Sequence, residues 1–151
     1  MTGLMIRVYR PSDFAQIVRN LKVSENNMYD ENVDSEADFS DLVKRHPENI
    51  LVAEIDGEIV GSELIVPLEP DQATLCRLAV KKDFRNRGVA TELLKKAVDS
   101  AKQRGFKELG MYVDAGNAEL LNFYDRRGFC WNGGHTYKYL QNDLSKLKEV
   151  K

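Results

Sequence analysis

Apolar residues along the chain switch spacing several times, from alternation to a helical repeat and back, which predicts a mixed α/β protein. Residues 6–9 alternate as a short first strand. Pro11, Ser12 and Asp13 then open a helix on which Phe14, Ile17, Val18 and Leu21 share one face. A second helix is predicted where Ser35 and Asp38 have the spacing of a capping box; Phe39, Leu42 and Val43 form its stripe, and Pro47 lies just past its end. Residues 51–55 and 58–66 are β-rich runs joined by Asp56-Gly57, a pair suited to the positive φ angles of a tight hairpin. The run QATLCRLAV, residues 72–80, gives another strand. A long helix comes after it, with Val89, Leu93, Leu94, Ala97, Val98 and Ala101 inward and Lys95, Lys96, Asp99 and Lys102 toward water.

Beyond Gly105, residues 109–114 predict a strand, and Asn117 can cap a helix carrying Leu120, Leu121 and Tyr124. Gly128 suits the left-handed position after that helix. Residues 129–131 and 135–140 then pair across Asn132-Gly133-Gly134, and residues 141–151 read as a polar, frayed tail. No repeat or linker interrupts the pattern. The expectation is one domain over residues 1–151 with its core at about residues 5–140.

Composition narrows the function classes. With 42% hydrophobic and 30% charged residues the 151-residue chain reads as an ordinary soluble domain. A net charge of −2 argues against a general nucleic-acid binder, and no apolar run approaches the roughly 18 residues of a membrane span. The first residues lack the apolar core of a leader peptide, so a cytoplasmic protein is expected. Cys76 and Cys130 are too few for a disulfide framework, and with only His46 and His135 besides, no metal site is expected.

The segment richest in chemistry is strand, basic turn, helix: LAV at 78–80 followed by KKDFRNRGVATELL. A helix N-terminus presents unpaired N–H groups and partial positive charge, a natural site for phosphate. Gly88 allows close backbone approach, Ala90 keeps a second contact position small, and Arg85 and Arg87 add charge-assisted hydrogen bonds. A solvated basic turn would carry the same residues. The segment is neither a P-loop nor a G-x-G-x-x-G dinucleotide turn.

Arg85-x-x-Gly88-x-Ala90 after that strand resembles the acetyl-CoA signature Q/R-x-x-G-x-G/A of the GNAT superfamily of N-acetyltransferases. Further on, NAELLNFYDRRGF, containing Asn117, Tyr124, Gly128 and Phe129, is similar to the family's N-x-x-A-x-x-F/L-Y-x-x-x-G-F helix, with Leu120 replacing the alanine. The two motifs and the order of elements extend the resemblance over roughly residues 5–140. It implies an α/β (α+β) fold: a mixed, largely antiparallel sheet of about seven strands, about four helices on both faces, and a splay between the fourth and fifth strands.

The resemblance further implies acetyl-CoA as co-substrate. Its pantetheine arm would lie along the backbone of Leu78, Ala79 and Val80 like an added strand, while the turn Arg85, Asn86, Arg87, Gly88, Val89, Ala90 and Thr91 would hold the pyrophosphate. Asn117 and Tyr124 would face the cofactor, and Tyr124 would protonate the departing thiolate; on periodicity alone Tyr124 reads equally as a core aromatic. An alkyl amine near pKa 10.4 must lose a proton before it attacks. Relatives often place Glu or His near Thr74 and Cys76, and the family's ribosomal-protein acetylases carry a fifth-strand glutamate where Tyr112 stands. Glu63, placed by alternation with Ile59 and Ile65, and Asp114 remain as base candidates; either could be a plain strand carboxylate. Cys76 lacks a histidine partner and reads as packing, and His135 receives no role.

Residues 25–41 hold Glu25, Asp30, Glu31, Asp34, Glu36, Asp38 and Asp41 with no Lys or Arg. In GNAT relatives this connection walls the acceptor site, so the expected acceptor is a small cationic amine such as a polyamine, an amino sugar or a lysine side chain. Carboxylates also favour a helix start for structural reasons. The alternatives are a protein or peptide N-acetyltransferase and a non-catalytic acyl-CoA-binding sensor, as monomer or homodimer.

Overall fold

The computed structural model describes residues 3–24, 28–131 and 137–143. Strands β1 (Leu4–Val8), β2 (Ile50–Ile55), β3 (Glu58–Leu68), β4 (Gln72–Val80), β5 (Glu108–Asp114), β6 (Cys130–Trp131) and β7 (Tyr137–Asp143) form one sheet in the order β1-β2-β3-β4-β5-β7-β6. Every neighbouring pair is antiparallel except β4 with β5, which run parallel. Helices α1 (Phe14–Lys22) and α2 (Glu36–Arg45) cover one face, packing with Ile50, Val52, Ile59 and Leu64. On the other, α3 (Val89–Gln103) and α4 (Ala118–Asp125) pack with Leu51, Ala53, Ile65, Leu75 and Met111. None of the described helices is long and apolar enough to cross a membrane.

Local chemistry explains most boundaries. Ser35 Oγ accepts from the Asp38 N–H while the Asp38 carboxylate accepts from the Ser35 N–H, closing the capping box at the start of α2. Asn117 Oδ1 accepts from Leu120 N–H at the start of α4. The first helix is preceded by a 3-10 turn, Pro11–Asp13, in which the Asp13 carboxylate accepts from the Arg10 N–H and pairs with Arg7 of β1.

Five expectations shift. β1 spans Leu4–Val8 rather than residues 6–9. β3 continues through Pro67 to Leu68. Ala53 pairs with Gly61 and Glu54 with Ile59, so Val60 is an extra residue in β3; this bulge puts Ile59 and Ile65 on opposite faces and breaks the alternation expected for Ile59, Glu63 and Ile65. β7 takes in Gln141 to Asp143, because their backbones complete the pairing with β5; the expected tail therefore begins later. The last hairpin narrows to the pairs Cys130↔Gln141 and Trp131↔Leu140, and its turn at 132–136, His135 included, lies outside the described residues, as do Glu25 and residues 144–151.

Two features of the sheet shape the region around β4. β4 and β5 pair only from Gln72↔Glu108 to Leu75↔Met111; beyond that, β5 pairs with β7 alone and the edge of β4 from Cys76 to Val80 is left open. α3 sits very close to β3 and β4 at its N-terminus: a Cβ on Gly61 would lie 3.1 Å from Ala79 O and from Val89 Cγ1. That approach fixes the helix start over the open half of β4. Leu93 and Leu94, fully buried, hold it there, and truncating either to Ala costs roughly 2–5 kcal/mol.

Candidate active site

At the divergence of β4 and β5 a cleft of about 1180 Å³ runs through the sheet edge from one face to the other. On the α3 side it is lined by Leu78, Val80, Arg85, Asn86, Gly88, Val89, Ala90, Thr91 and Asn117. Met28, Tyr29, Asp30, Glu31 and Asn32 of the α1–α2 connection line the opposite side, with Tyr112 of β5. Ten of the twelve expected cofactor residues thus line one cleft, the ten being Leu78, Ala79, Val80, Arg85, Asn86, Gly88, Val89, Ala90, Thr91 and Asn117. Two do not. Arg87 stacks its guanidinium 5.2 Å from the Phe84 ring centroid instead, and Tyr124 lies behind the lining, 2% exposed.

The turn into α3 is shaped for an anion. Asn86 and Gly88 both take left-handed backbone angles, φ 62° and 82°. Gly88 is the N-cap and offers no side chain, so the first-turn N–H groups are free of a side-chain cap. Space beside Gly88 is open, with nothing within 4 Å of where a Cβ would stand. Arg85 folds back to donate from Nε to Val80 O at 3.1 Å, which holds it at the end of β4. A second basic group comes from beyond α4: Arg127 donates to Thr91 Oγ1 at 3.0 Å and to Phe123 O at 2.8 Å, with its guanidinium 3.9 Å from the Phe123 ring centroid. Arg126 and Arg127 both line the cleft. Neither is among the sequence-predicted residues, although both stand within the quoted NAELLNFYDRRGF run. These donors fit a pyrophosphate, and the open edge of β4 fits an extended amide-bearing arm.

The candidate proton-transfer groups sit deeper. Glu63 of β3 is fully buried, and neither carboxyl oxygen makes a hydrogen bond among the described residues. Burial raises it to about 8, so it is neutral over much of the physiological range. Tyr124 is held well above the usual tyrosine range by burial first, then by Glu63 and Cys76; it is therefore a phenol able to give a proton. Its ring meets Phe123 and Phe129 edge to face, with centroids 5.2 and 5.7 Å away. Cys76, half-buried, is raised by burial, an effect countered by Arg77 and reinforced by Glu63 and Asp34. Asp114 lines the cleft but is partly committed, since its Oδ1 accepts from Gly116 N–H at 2.8 Å.

Four acids of the run, Asp30, Glu31, Asp34 and Asp38, fall into two groups. Asp38 caps α2, and Asp34, 2% exposed, accepts from Arg77 Nε through both oxygens at 3.2 and 3.0 Å. Asp34 also accepts from Asp30 N–H at 2.8 Å, closing the turn that carries Asp30 and Glu31 into the cleft. Among the described residues, only those last two present carboxylates to a ligand from this loop.

Residues 15–129 match the family described as Acetyltransferase (GNAT) family. The chain is 30% identical over 114 residues to N-alpha-acetyltransferase 30 of Schizosaccharomyces pombe, covering 72% of this chain and 75% of that protein. It is 34% identical over 97 residues to an uncharacterized N-acetyltransferase of Methanocaldococcus jannaschii, covering 60% of this chain and 43% of that longer protein. In three dimensions it superposes on the PaiA N-acetyltransferase of Thermoplasma acidophilum in complex with coenzyme A, with a TM-score of 0.81 and 19% identity, covering 94% of this chain and 99% of that one. At that identity the likeness speaks for the fold.

Proposed function

This chain belongs to the GNAT acetyltransferase family, and on that premise we propose that it moves an acetyl group from acetyl-CoA to a primary amine by direct attack, both substrates being bound together. The observation that carries the proposal is the cleft through the gap between β4 and β5, which lets a thioester arrive from the α3 face and an amine from the α1–α2 face. Arg85, Arg127 and the first-turn amides of α3 would hold the pyrophosphate, and the backbone of Leu78 to Val80 would take the pantetheine arm. Acetyl-CoA supplies the activated acyl group. A backbone N–H of β4 would meet the negative charge that develops on the acyl oxygen.

Tyr124 is the proposed acid and Glu63 the preferred base. Glu63 is favoured over Asp114 because its burial gives it a proton affinity suited to accepting from an ammonium, whereas Asp114 is partly spent on its own turn. Since neither Glu63 nor Tyr124 lines the cleft, proton transfer to Glu63 and from Tyr124 each requires an intervening water. Asp30 and Glu31 at the rim favour a cationic acceptor. Burial of both Glu63 and Tyr124 behind the lining also suits a second reading, an acyl-CoA-binding module without turnover. Release of CoA, followed with a thiol reagent across a panel of amines, separates the two. Turnover that drops about a hundredfold or more in Tyr124→Phe supports the enzyme, and tight acetyl-CoA binding with no turnover on any amine supports the module.

A further inference from the structure

Arg77 occupies an unusual place in β4. Cys76 pairs with Leu64 and Ala79 with Ser62, so Arg77 and Leu78 together stand opposite the single residue Glu63, a bulge at the point where β4 parts from β5. Arg77 takes φ 57°, a left-handed conformation that is strained for most residues with a side chain and easy for glycine. A long side chain is nonetheless placed there. Its Nε is pinned by both oxygens of the buried Asp34, and among the described residues neither terminal nitrogen of the guanidinium makes a hydrogen bond.

Those two nitrogens belong to a residue that lines the main cleft and also a smaller adjoining hollow of about 150 Å³ formed with Val33, Leu42, Leu64 and Val66. Asp34 cancels the charge of Arg77, so the site does not repel a cation, while the outer donors remain available to bind an oxygen. Asp30 and Glu31 stand on the turn that the same Asp34 closes. Carboxylates for an ammonium and a donor fork for an oxygen are therefore held in one rigid unit, next to the strand segment that would carry the thioester.

We propose that Arg77 selects acceptors in which the reacting amine is joined through one carbon to a carbonyl or carboxylate: an α-aminoacyl group, with Arg77 donating to its oxygen. This rests on the acetyltransferase reading and narrows its acceptor. The hollow beneath the pair, apolar apart from Asp34, Asp38 and Arg77, accommodates an apolar substituent on that carbon. Two sources share this chemistry, a free amino acid and the N-terminus of a peptide.

The test is CoA release with leucinamide, leucine, a leucyl peptide and isoamylamine, the last being the same amine without the carbonyl. The intact protein should prefer the best of the first three over isoamylamine by about tenfold or more in kcat/KM. In Arg77→Gln that ratio should fall to about one, with KM for acetyl-CoA unchanged. Arg77→Lys, which keeps a cation beside Asp34 but loses the fork, guards against misfolding and should lower the ratio too. A merely structural arginine would depress all four amines alike and leave the ratio intact. Preference for leucine identifies the carboxylate as the source, and preference for the peptide identifies the main-chain carbonyl. Equal turnover of isoamylamine and leucinamide by the intact protein, or a ratio preserved in both variants, overturns the inference alone. Absence of turnover on every amine while acetyl-CoA binds overturns the acetyltransferase reading and this inference with it.

Discussion

Arg127 Nη2 donates to Thr91 Oγ1 at 3.0 Å and so ties the residues just beyond α4 to the first turn of α3. This contact joins two cleft-lining segments 36 residues apart in sequence, with Phe123 stacked beneath the guanidinium. Arg127→Leu should therefore raise KM for acetyl-CoA by about 5- to 30-fold, the equivalent of roughly 1–2 kcal/mol for a hydrogen bond to a charged group. Acceptor KM at saturating acetyl-CoA should not change. Initial-rate kinetics with each substrate varied in turn checks both halves.

Glu63 links activity to pH. Burial lifts its folded pKa to about 8, above the value near 4.5 of an exposed glutamate. Between those two values the unfolded chain gives up a proton that the folded chain keeps, so stability falls as pH rises through that window and levels off above it. Glu63→Gln should remove this slope, and denaturant titrations at pH 5 and pH 8.5 should differ by a few kcal/mol less in the variant than in the parent. If Glu63 is the base, kcat of the parent should rise through about pH 8 and that inflection should vanish in the variant. An inflection that survives Glu63→Gln rules Glu63 out as the base.

The two ends of α3 provide a matched comparison. Gly88 before it and Gly105 after it have nearly the same φ, 82° and 81°, and neither has an atom within 4 Å of the point a Cβ would occupy. Gly88→Ala and Gly105→Ala should each cost roughly 1–2 kcal/mol of backbone strain, lowering Tm by about 2–8 °C. Only Gly88→Ala should raise KM for acetyl-CoA, because only Gly88 stands in the cleft. Equal KM values for the two variants would remove the turn from the binding site.

Charge at the rim should act on the acceptor. Asp30→Asn combined with Glu31→Gln should raise acceptor KM several-fold at low salt and less at high salt, since both carboxylates are exposed and screened. Asp34→Asn belongs to a different class: it breaks the buried pair with Arg77 and should lower Tm as well. Thermal melts alongside the kinetics distinguish them.

Legibility in the sequence depends on how local each signal is. Asp56-Gly57, the Ser35 and Asp38 box, the Asn117 cap and the turn at Gly88 are decided by residues within a few positions of one another, and all four form as expected. The bulges at Val60 and at Arg77 depend on the register of a neighbouring strand, which no single run of residues displays. Asp34 reads like the other acids of its run because its partner lies 43 residues away. Arg127 carries no signal for the same reason, its partner Thr91 being on another helix. Glu63 stands out as a carboxylate in an apolar run, yet its complete burial depends on what packs over β3, where α3 comes close at Gly61, and periodicity does not reveal that.

The brief parallel contact between β4 and β5 makes the sheet two plates joined by a short seam. Strands β1 to β4 build one plate as a meander of antiparallel neighbours, and β5 to β7 build the other. Amide protons on the two plates should exchange with distinct protection, the seam yielding before either plate melts. A long ligand laid along the gap would bridge the halves like a rivet, so saturation with coenzyme A should slow exchange on both sides of the seam together.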